Sequence, residues 1–215
     1  MKVAIIGTGN VGSALAGSFT KAGHEVTLSA RDAAKTLEVT RATGATAVAD
    51  ASEAVAGADV VVIAVPYGAT AAVAAEIASA AAGKVVIDVT NPLKSDYSGL
   101  ATGDGPSGAE QLATQLVDAR VVKAFNTVFA GIQGDPDGLG TTLDALYATD
   151  DAEAREVVSA LAESVGFRPV YVGPLAAARE LEAMAWLNIR LQMLTNGTWN
   201  SAFVLVAPPA ASTEA

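Results

Sequence analysis

The sequence predicts an α/β protein with a doubly wound, mainly parallel β-sheet and a small C-terminal helical or α+β region. Three observations lead to this fold class. An apolar strand at the N-terminus runs into a glycine-rich turn and then into an amphipathic helix. Short apolar runs then alternate with helical segments, the order expected of parallel strands covered by helices on both faces of a sheet. The length of 215 residues suits one domain, or one domain with a small addition.

The glycine-rich turn has the spacing of a dinucleotide-binding fingerprint. Gly7, Gly9 and Gly12 form the pattern G-x-G-x-x-G between the strand and the helix. In that context the first glycine permits a tight turn, the second lets a pyrophosphate approach the backbone, and the third lets the helix pack closely on the strand. Unpaired amides at the start of the helix then hold the phosphates. The sequence therefore predicts a Rossmann-type nucleotide site at the N-terminal end of the chain.

The end of the second strand favours NADP over NAD. An NAD site usually places Asp or Glu about 20 residues after the glycines, where the carboxylate binds the ribose 2′-hydroxyl. Ala30 stands at or beside that position and has no carboxylate. Arg31 follows it and Lys35 comes one helical turn later, so the pair predicts a pocket for the 2′-phosphate. In the alternative interpretation, Arg31 is a solvated charge at a helix start, and Asp32 is an N-cap or a displaced NAD-binding acid.

Hydrophobic periodicity predicts the remaining elements. Strands are expected at 26–30, 46–48, 58–65, 84–89, 120–125, 143–149 and 168–172. Helices are expected at 33–43, 51–57, 69–82, 109–116 and 151–164. The apolar run from Ala58 to Val65 is continuous rather than alternating, which is typical of a strand buried on both faces.

Two glycine-rich loops interrupt the alternation of strands and helices, at 95–107 and 131–140. The first is long enough to have a function, and a plain surface insertion explains it equally well. The second contains Asp135 and Asp137, whose spacing fits a turn rather than a calcium-binding loop. The sequence assigns no role to either loop.

The chain after residue 174 differs in composition from the rest. Residues 175–206 are predicted to be helical with an interruption at Asn196-Gly197, and they contain both tryptophans, Trp186 and Trp199. Large apolar side chains gathered in one terminal element favour a subunit interface or the wall of a ligand pocket. Packing of this helix on the core of its own domain is the alternative.

We divide the chain into three parts on this basis. Residues 1–125 are the predicted dinucleotide-binding domain, and residues 126–206 are a smaller region that covers the active site. Residues 207–215 are rich in small residues and proline, so they are predicted to be a disordered tail.

Composition excludes several classes of function. The chain has no cysteine, which excludes disulfides, thiolate catalysis and cysteine metal sites, and no metal site is predicted. A net charge of -10 without a basic stretch argues against nucleic acid. No apolar run approaches the roughly 20 residues that span a membrane, so a cytoplasmic protein is expected. The one histidine, His24, lies at a helix-to-strand turn on the edge of the sheet away from ligands and is predicted to be structural.

Ligands of open α/β sheets bind beyond the carboxyl ends of the strands. Three predicted strand ends carry polar or turn-forming residues: Pro66-Tyr67, Thr90-Asn91-Pro92 and Asn126-Thr127. They offer amides, hydroxyls and open backbone, with only Tyr67 and Lys94 as candidate proton donors. Asp88 and Lys123 lie inside their strands and are predicted to be structural, with pairing of the two as one arrangement. Such a site suits hydride transfer between two bound cofactors, because the rings carry the chemistry and the protein positions them.

Several segments together resemble a known family, the NADPH-dependent reductases of the 8-hydroxy-5-deazaflavin coenzyme F420, and the resemblance covers nearly the whole chain. The segments are Gly7–Gly12, Gly23-His24-Glu25-Val26, Ser29-Ala30-Arg31, Asn91-Pro92-Leu93, Lys123-Ala-Phe-Asn126-Thr127 and Gly173-Pro174-Leu175. The Asn-Thr motif is also similar to the oxidoreductase domains of ferric metalloreductases, which pass hydride from NADPH to a flavin. Archaeal-type members tend to have Ser at Ala30, a basic residue at Asp32 and His at Asn126.

The resemblance implies an enzyme that transfers hydride reversibly between NADPH and coenzyme F420 and that is often a dimer. The alternatives are the same reaction with FMN or FAD as acceptor, and a non-catalytic NADP-binding regulator. Asn126 and Asn91 are the candidate catalytic residues, near the stacked rings. The residues expected at the cofactors are Gly7, Thr8, Gly9, Asn10, Val11, Gly12, Ser29, Arg31, Lys35, Val65, Pro66, Thr90, Asn91 and Thr127.

Overall fold

The computed structural model describes residues 1–206, so the tail predicted at 207–215 lies outside the described residues. Within residues 1–206 one sheet contains eight strands. They are β1 (Lys2–Ile6), β2 (Glu25–Ser29), β3 (Thr46–Ala47), β4 (Val60–Ile63), β5 (Val85–Asp88), β6 (Arg120–Ala124), β7 (Asp144–Ala148) and β8 (Arg168–Tyr171). Their order is β3-β2-β1-β4-β5-β6-β7-β8, and each neighbouring pair is parallel except β6 and β7. The predicted doubly wound, mainly parallel fold is confirmed.

Helices cover both faces of this sheet. They are α1 (Asn10–Lys21), α2 (Ala33–Thr43), α3 (Ala51–Ala56), α4 (Thr70–Ala81), α5 (Gly108–Gln115), α6 (Ala130–Gln133), α7 (Ala152–Ser164) and α8 (Ala178–Thr195). Side chains of α1, α2 and α7 pack on one face, and side chains of α3, α4 and α5 pack on the other. In the part of the chain that the structure describes, no helix is both long enough and apolar enough to cross a membrane.

The central strands are buried on both sides because their side chains alternate between two cores. In β1, Val3 and Ile5 belong to one hydrophobic cluster, whereas Ala4 and Ile6 belong to the other. The strand predicted from the continuous apolar run is β4, which is buried along its whole length. Each fully buried side chain of this size contributes roughly 1.5–3 kcal/mol. The turns that follow these strands are therefore held on a rigid base.

The C-terminal region shares this sheet with the rest of the chain. β7 pairs with β6 and β8 pairs with β7, while α8 contacts α5 and β7. The boundary proposed at residue 125 therefore falls between neighbouring strands of one sheet, and the division into domains stays a prediction.

The helix predicted over the whole C-terminal region is wrong beyond its interruption. Asn196 adopts a left-handed conformation (φ 49°) that closes α8. Residues 197–206 are irregular, and we call them the C-terminal strap. The Oε1 atom of Gln192 accepts a hydrogen bond from the backbone of Trp199 at 2.9 Å, which turns the chain away from the helix axis. The apolar composition of the strap had favoured a helix, but local backbone geometry prevails.

The C-terminal strap runs back along α8 and reaches the sheet. Gln192 Nε2 donates to Ser201 Oγ at 2.8 Å, and Asn188 Nδ2 donates to the Ser201 carbonyl at 3.2 Å. Further along, the backbone N–H of Leu205 donates to Asp144 Oδ2 at 2.6 Å. These bonds fix the strap on the face of α8 and against β7.

The second glycine-rich loop contains more regular structure than the sequence predicts. It holds α6 and a 3₁₀ turn, Pro136–Leu139. The buried Gln133 donates from Nε2 to the carbonyls of Phe125 and Val128, at 2.6 and 2.9 Å. Phe125 has a positive φ of 59°, so its carbonyl turns out of the sheet ladder and needs this partner.

An exposed ion pair joins α8 to α5. Arg179 donates to Glu110 from Nε at 2.8 Å and from a terminal nitrogen at 2.7 Å. These hydrogen bonds from Arg179 are the main reason that the pKa of Glu110 falls from 4.5 to about 2, with a smaller contribution from Ser107. Because folding lowers this pKa, the carboxylate stabilises the fold at pH above its unfolded value and loses that effect as the pH falls towards 2.

We predict that Glu110→Gln flattens the acid side of the stability profile. The wild type should lose more unfolding free energy than this variant between pH 5 and about pH 2, since only the wild type must protonate a carboxylate of lowered pKa. Urea unfolding across this pH range measures the difference. Glu38→Gln, at an exposed position of α2, is the control and should follow the wild type. Parallel profiles for wild type and Glu110→Gln would contradict the assignment.

Candidate active site

Close backbone contacts require a glycine at Gly7 and at Gly12, whereas Gly9 has open space beside it. Gly7 has φ +114°, and a Cβ there would lie 2.4 Å from the carbonyl oxygen of Ala64. A Cβ at Gly12 would lie 2.1 Å from the carbonyl oxygen of Gly7. A Cβ at Gly9 would meet no atom within 4 Å. The first and third glycines therefore allow the turn and the helix packing, and the second leaves the backbone open to a ligand.

The N-terminus of α1 faces this open space. Gly9 is its N-cap residue and provides no side-chain hydrogen bond to the first turn. The leading amides of the helix are consequently available, and the positive end of the helix dipole lies with them. This is the arrangement that binds phosphate groups in Rossmann folds.

A cavity of about 370 Å³ lies on one side of the fingerprint, at the carboxyl ends of β1, β2 and β4. Eight residues predicted at the cofactor line it: Gly7, Thr8, Gly9, Ser29, Arg31, Lys35, Val65 and Pro66. The sequence reasoning did not include Val73 and Glu76 of α4, which close its far side. We call it the nucleotide cavity.

The cationic end of the nucleotide cavity is formed by Arg31 and Lys35, which are both exposed at its rim. Asp32 lies between them, but its Oδ1 accepts the backbone N–H of Lys35 at 3.0 Å and caps α2. Asp32 also lines the cavity, and the N-cap role that the alternative interpretation gave it is present. Among residues 1–206, neither Arg31 nor Lys35 has a side-chain ion pair, so both can meet an anionic group.

A second cavity, of about 640 Å³, lies on the other side of the fingerprint, beyond β5 and β6. We call it the ring cavity. Five residues predicted near the cofactors line it: Asn10, Val11, Asn91, Asn126 and Thr127. Its volume is in the range of small-molecule binding sites. The two cavities meet at the start of α1, because Gly9 lines the first and Asn10 lines the second.

The far wall of the ring cavity comes from α8 and the C-terminal strap, the region in which the sequence offered a pocket wall as one of its interpretations. The wall residues are Ala185, Asn188, Ile189, Met193 and Trp199. The Trp199 ring packs edge-on against Phe129, with centroids 5.4 Å apart, and Trp186 lines neither cavity. The spacing of apolar residues in the sequence predicts an amphipathic helix at α8, but it does not predict which strands of the sheet the apolar face contacts.

Two residues of the predicted set line neither cavity. Gly12 packs against the carbonyl of Gly7, and Thr90 is buried below the ring cavity. Their roles are therefore in building the site, and any contact with a cofactor stays a prediction.

Asn91 and Asn126 form a reciprocal pair at the base of the ring cavity. Asn126 Nδ2 donates to Asn91 Oδ1 at 2.9 Å and to the carbonyl of Leu181 at 3.0 Å. Asn91 Nδ2 donates to the backbone carbonyl of Asn126 at 3.1 Å. The two backbone carbonyls fix the orientation of both amides, because a flipped amide would place an oxygen against a carbonyl.

Below this pair lies a buried ionic cluster. Lys123 Nζ is 2.9 Å from Asp88 Oδ2 and 3.0 Å from Glu182 Oε1, and it also donates to the carbonyl of Thr90. The predicted pairing of Asp88 with Lys123 is therefore present. Glu182 was not foreseen, since it comes from α8 and nothing local in the sequence shows its partner.

The ring cavity contains no charged side chain among the described residues that line it, and Tyr97 is its one titratable group. The two candidate proton donors lie elsewhere: Tyr67 donates its hydroxyl to Gln111 Oε1 at 2.7 Å, and Lys94 is exposed. Across residues 1–206 no group of His, Asp and Glu is arranged to hold a metal ion. The cavity is thus suited to neutral planar groups.

His24 lies at the opposite edge of the sheet, as predicted. Its Nε2 is 2.8 Å from Ser164 Oγ and its Nδ1 is 3.2 Å from the N-terminal amine. Partial burial, together with the positive N-terminus, lowers the pKa of His24 below its ordinary value. This histidine ties the chain start to α7 and is remote from both cavities.

These features define a Rossmann-fold dinucleotide-binding protein with an adjoining uncharged ring cavity. Residues 2–92 match the family described as NADP oxidoreductase, coenzyme F420-dependent. The chain is also 36% identical over 214 residues to the F420-dependent NADP reductase of Methanothermobacter marburgensis, covering 90% of this chain and 93% of that protein. The chain belongs to the F420-dependent NADP oxidoreductase family.

Two further comparisons show how far the likeness extends. A crystal structure from Arthrobacter sp. FB24, provisionally designated an F420-dependent NADP reductase, superposes with a TM-score of 0.86 at 30% identity, covering 96% of this chain and 99% of that one. The metalloreductase STEAP3 of Rattus norvegicus is 32% identical over 188 residues, covering 85% of this chain and 36% of that protein.

We predict that replacing Gly9 weakens NADPH binding with little effect on stability, whereas replacing Gly12 lowers stability. Gly9→Ala should change the unfolding free energy by no more than about 1 kcal/mol, because the added Cβ has open space and φ is -71°. It should weaken NADPH binding at least about tenfold by occupying the path of the pyrophosphate.

Gly12→Ala is the matched variant, and it should lose stability because its Cβ meets the Gly7 carbonyl at 2.1 Å. Urea unfolding and a fluorescence titration with NADPH measure the two properties. Unchanged NADPH affinity in Gly9→Ala would show that the pyrophosphate does not cross this point.

Proposed function

We propose that this protein transfers a hydride reversibly between NADPH and coenzyme F420. The observation that carries the proposal is the meeting of two cavities at the start of α1, one with an anion-binding fingerprint and the other uncharged and large enough for stacked rings. Membership of the family and the names of the relatives support both cofactors. The residues present fit NADPH, since Gly9 leaves space at an uncapped helix start.

Each part of the chain has a role in this reaction. When bound, NADPH would supply the hydride and the deazaflavin ring would accept it, so the redox chemistry would belong to the cofactors. The backbone of α1 would hold the pyrophosphate, and the walls of the ring cavity would hold the two rings against each other. Asn126 orients a ring but transfers no proton, because its amide does not titrate and both of its N–H groups are bound to protein oxygens.

The choice of NADP over NAD rests on the rim of the nucleotide cavity. Arg31 can meet a 2′-phosphate with two parallel charge-assisted hydrogen bonds, and Lys35 adds a second positive charge. The one acidic residue in this turn, Asp32, is bound to the start of α2 through the Lys35 amide. The position at the end of β2 where an NAD site usually carries its carboxylate is Ala30, and the neighbouring Asp32 has its Oδ1 bound to the α2 backbone.

The acceptor is tested by anaerobic turnover of NADPH with coenzyme F420, FMN and FAD in parallel. Reduction of F420 with kcat/KM well above both flavins is the expected result. If a flavin is the better acceptor, the protein is instead an NADPH-dependent flavin reductase, the alternative suggested by the likeness of the Asn126-Thr127 motif to ferric metalloreductases. Tight NADPH binding without turnover of any acceptor would instead make the protein a nucleotide-binding regulator.

A homodimer in the cytoplasm completes the proposal. The support for the dimer is an exposed apolar face on the second half of α8, formed by Leu187, Leu191 and Leu194. Contiguous exposed apolar patches are a feature of protein–protein interfaces. The cytoplasmic location is proposed from the sequence, in which no apolar run has membrane-spanning length.

We predict that Arg31→Ala weakens NADPH and leaves NADH nearly unchanged. Loss of charge-assisted bonds to the 2′-phosphate removes roughly 1.5–3 kcal/mol, or about 10- to 150-fold in affinity. The measurement is kcat/KM for both coenzymes, with Arg41→Ala, at an exposed position near the end of α2, as control. Equal losses for the two coenzymes would mean that Arg31 supports the turn instead of reading the phosphate.

We also predict that Leu194→Glu converts a dimer to a monomer. Leu194 is 74% exposed, so a glutamate there should leave the fold intact while placing charge in the proposed interface. Analytical ultracentrifugation gives the mass, and Leu37→Glu on α2, 49% exposed in the wild type, is the control. A wild type that sediments as a monomer would rule out the homodimer.

A further inference from the structure

Lys123 is a fully enclosed charge, and none of its side chain is exposed. Its ammonium group donates to Asp88 Oδ2, to Glu182 Oε1 and to the carbonyl of Thr90. An ammonium has three N–H donors, so each one has a protein acceptor. Lys123 is therefore saturated and has no proton to offer a ligand.

The contacts of Lys123 are part of a closed ring of hydrogen bonds and chain neighbours at the base of the ring cavity. Lys123 donates to the carbonyl of Thr90, the next residue is Asn91, and the side chain of Asn91 pairs with Asn126. Asn126 Nδ2 then donates to the carbonyl of Leu181 at 3.0 Å. The residue after Leu181 is Glu182, whose carboxylate pairs with Lys123 and closes the ring. The ends of β5 and β6 and the first half of α8 are thus joined in one ring of polar contacts.

Glu182 has a second anchor at the start of α5. It accepts the backbone N–H of Gly108 at 3.1 Å and that of Ala109 at 3.3 Å. A Cβ at Gly108 would lie 3.2 Å from Glu182 Oε1, so a glycine lets the carboxylate come this close. The carboxylate is therefore held from two sides, by Lys123 and by two amides of a helix N-terminus.

The anchored face of α8 is also the face that walls the ring cavity. Ala185 and Ile189 lie one and two turns after Glu182 on the same side of the helix, and both line the cavity. Glu182 itself lines neither the ring cavity nor the nucleotide cavity. A shift of α8 at Glu182 would move the far wall of the ring cavity and leave the nucleotide cavity in place.

We propose that Glu182 is a positioning residue for the hydride acceptor: its bonds to Lys123 and to α5 set the distance between α8 and the Asn91–Asn126 pair. The proposal rests on the proposed function for the identity of the acceptor. Buried ion pairs give little net stability, because the cost of removing charges from water offsets their attraction. Fixing the wall of the ring cavity is a role that this cluster can perform even where its net stabilisation is small.

The test is Glu182→Gln, which keeps the size of the side chain but removes its charge and leaves one amide of α5 facing an N–H group. We expect kcat/KM for coenzyme F420 to fall about 10- to 100-fold, the usual consequence of a displacement of about 1 Å in a reacting group. The Kd of NADPH for the protein alone should change by less than about threefold, because its phosphate groups are expected in the nucleotide cavity, which α8 does not line.

Glu180→Gln is the matched control, because it makes the same change at an exposed position of the same helix. It should leave both values unchanged. Equal losses for F420 and NADPH in Glu182→Gln would show a general structural defect, and no loss in either would show that α8 is placed by other contacts. Both results overturn the proposal.

Two additions keep the test decisive. If Glu182→Gln does not fold, Glu182→Asp retains the charge that compensates Lys123 but is too short to reach all its partners, and the same selective loss is expected. Hydrogen exchange needs no acceptor: Glu182→Gln should speed exchange in 178–195 but not in 2–12. A wild type that does not reduce F420 contradicts the proposed function, while the exchange result still decides the role of Glu182.

Discussion

The buried ammonium of Lys123 is the constraint on which the carboxyl edge of the sheet depends. A charge with no exposed surface costs several kcal/mol unless partners compensate it, and here the compensation comes from two carboxylates and one carbonyl. Asp88 is supplied by β5 and Glu182 by α8, so neither element can move away alone without leaving a charge unpaired. The turn that carries Asn91 is held by the same contacts, because Asp88 Oδ1 also accepts the Thr90 amide at 2.8 Å. The ring cavity is built on this rigid base.

The two cavities differ in the chemical groups that line them, and each suits a different part of the ligands. The nucleotide cavity uses backbone amides and two cations at its rim, which suit an anionic pyrophosphate and a 2′-phosphate. The ring cavity is lined by apolar side chains, amides and hydroxyls, which suit neutral rings. Charge is kept below the ring cavity rather than in it, where it would attract water to the rings. Hydride transfer between stacked rings gains from walls that hold the two rings at a fixed distance.

The parts of the structure that are local in sequence could be predicted, and those that depend on distant packing could not. The fingerprint was readable because Gly7 and Gly12 obey steric rules within a few residues of backbone, and the strands were readable from apolar runs. The pairing of Asp88 with Lys123 followed from their similar positions in neighbouring strands. Glu182 gave no signal, since its partners are fixed by the register of α8 against the sheet. The strap was missed because apolar composition favours a helix, while a single left-handed residue ends one.

The geometry of Asn126 explains how the site can dispense with an acid or a base. Backbone carbonyls at Leu181 and at Asn126 itself fix the orientation of the amides of Asn126 and Asn91. Both N–H groups of Asn126 therefore donate to protein oxygens, and only its side-chain oxygen has no hydrogen-bond partner among the described residues. A histidine in this position could exchange a proton with a ligand, but this amide cannot. Among the described residues that line the ring cavity, Tyr97 has the one ionisable side chain, so the main contribution of the protein is distance and orientation.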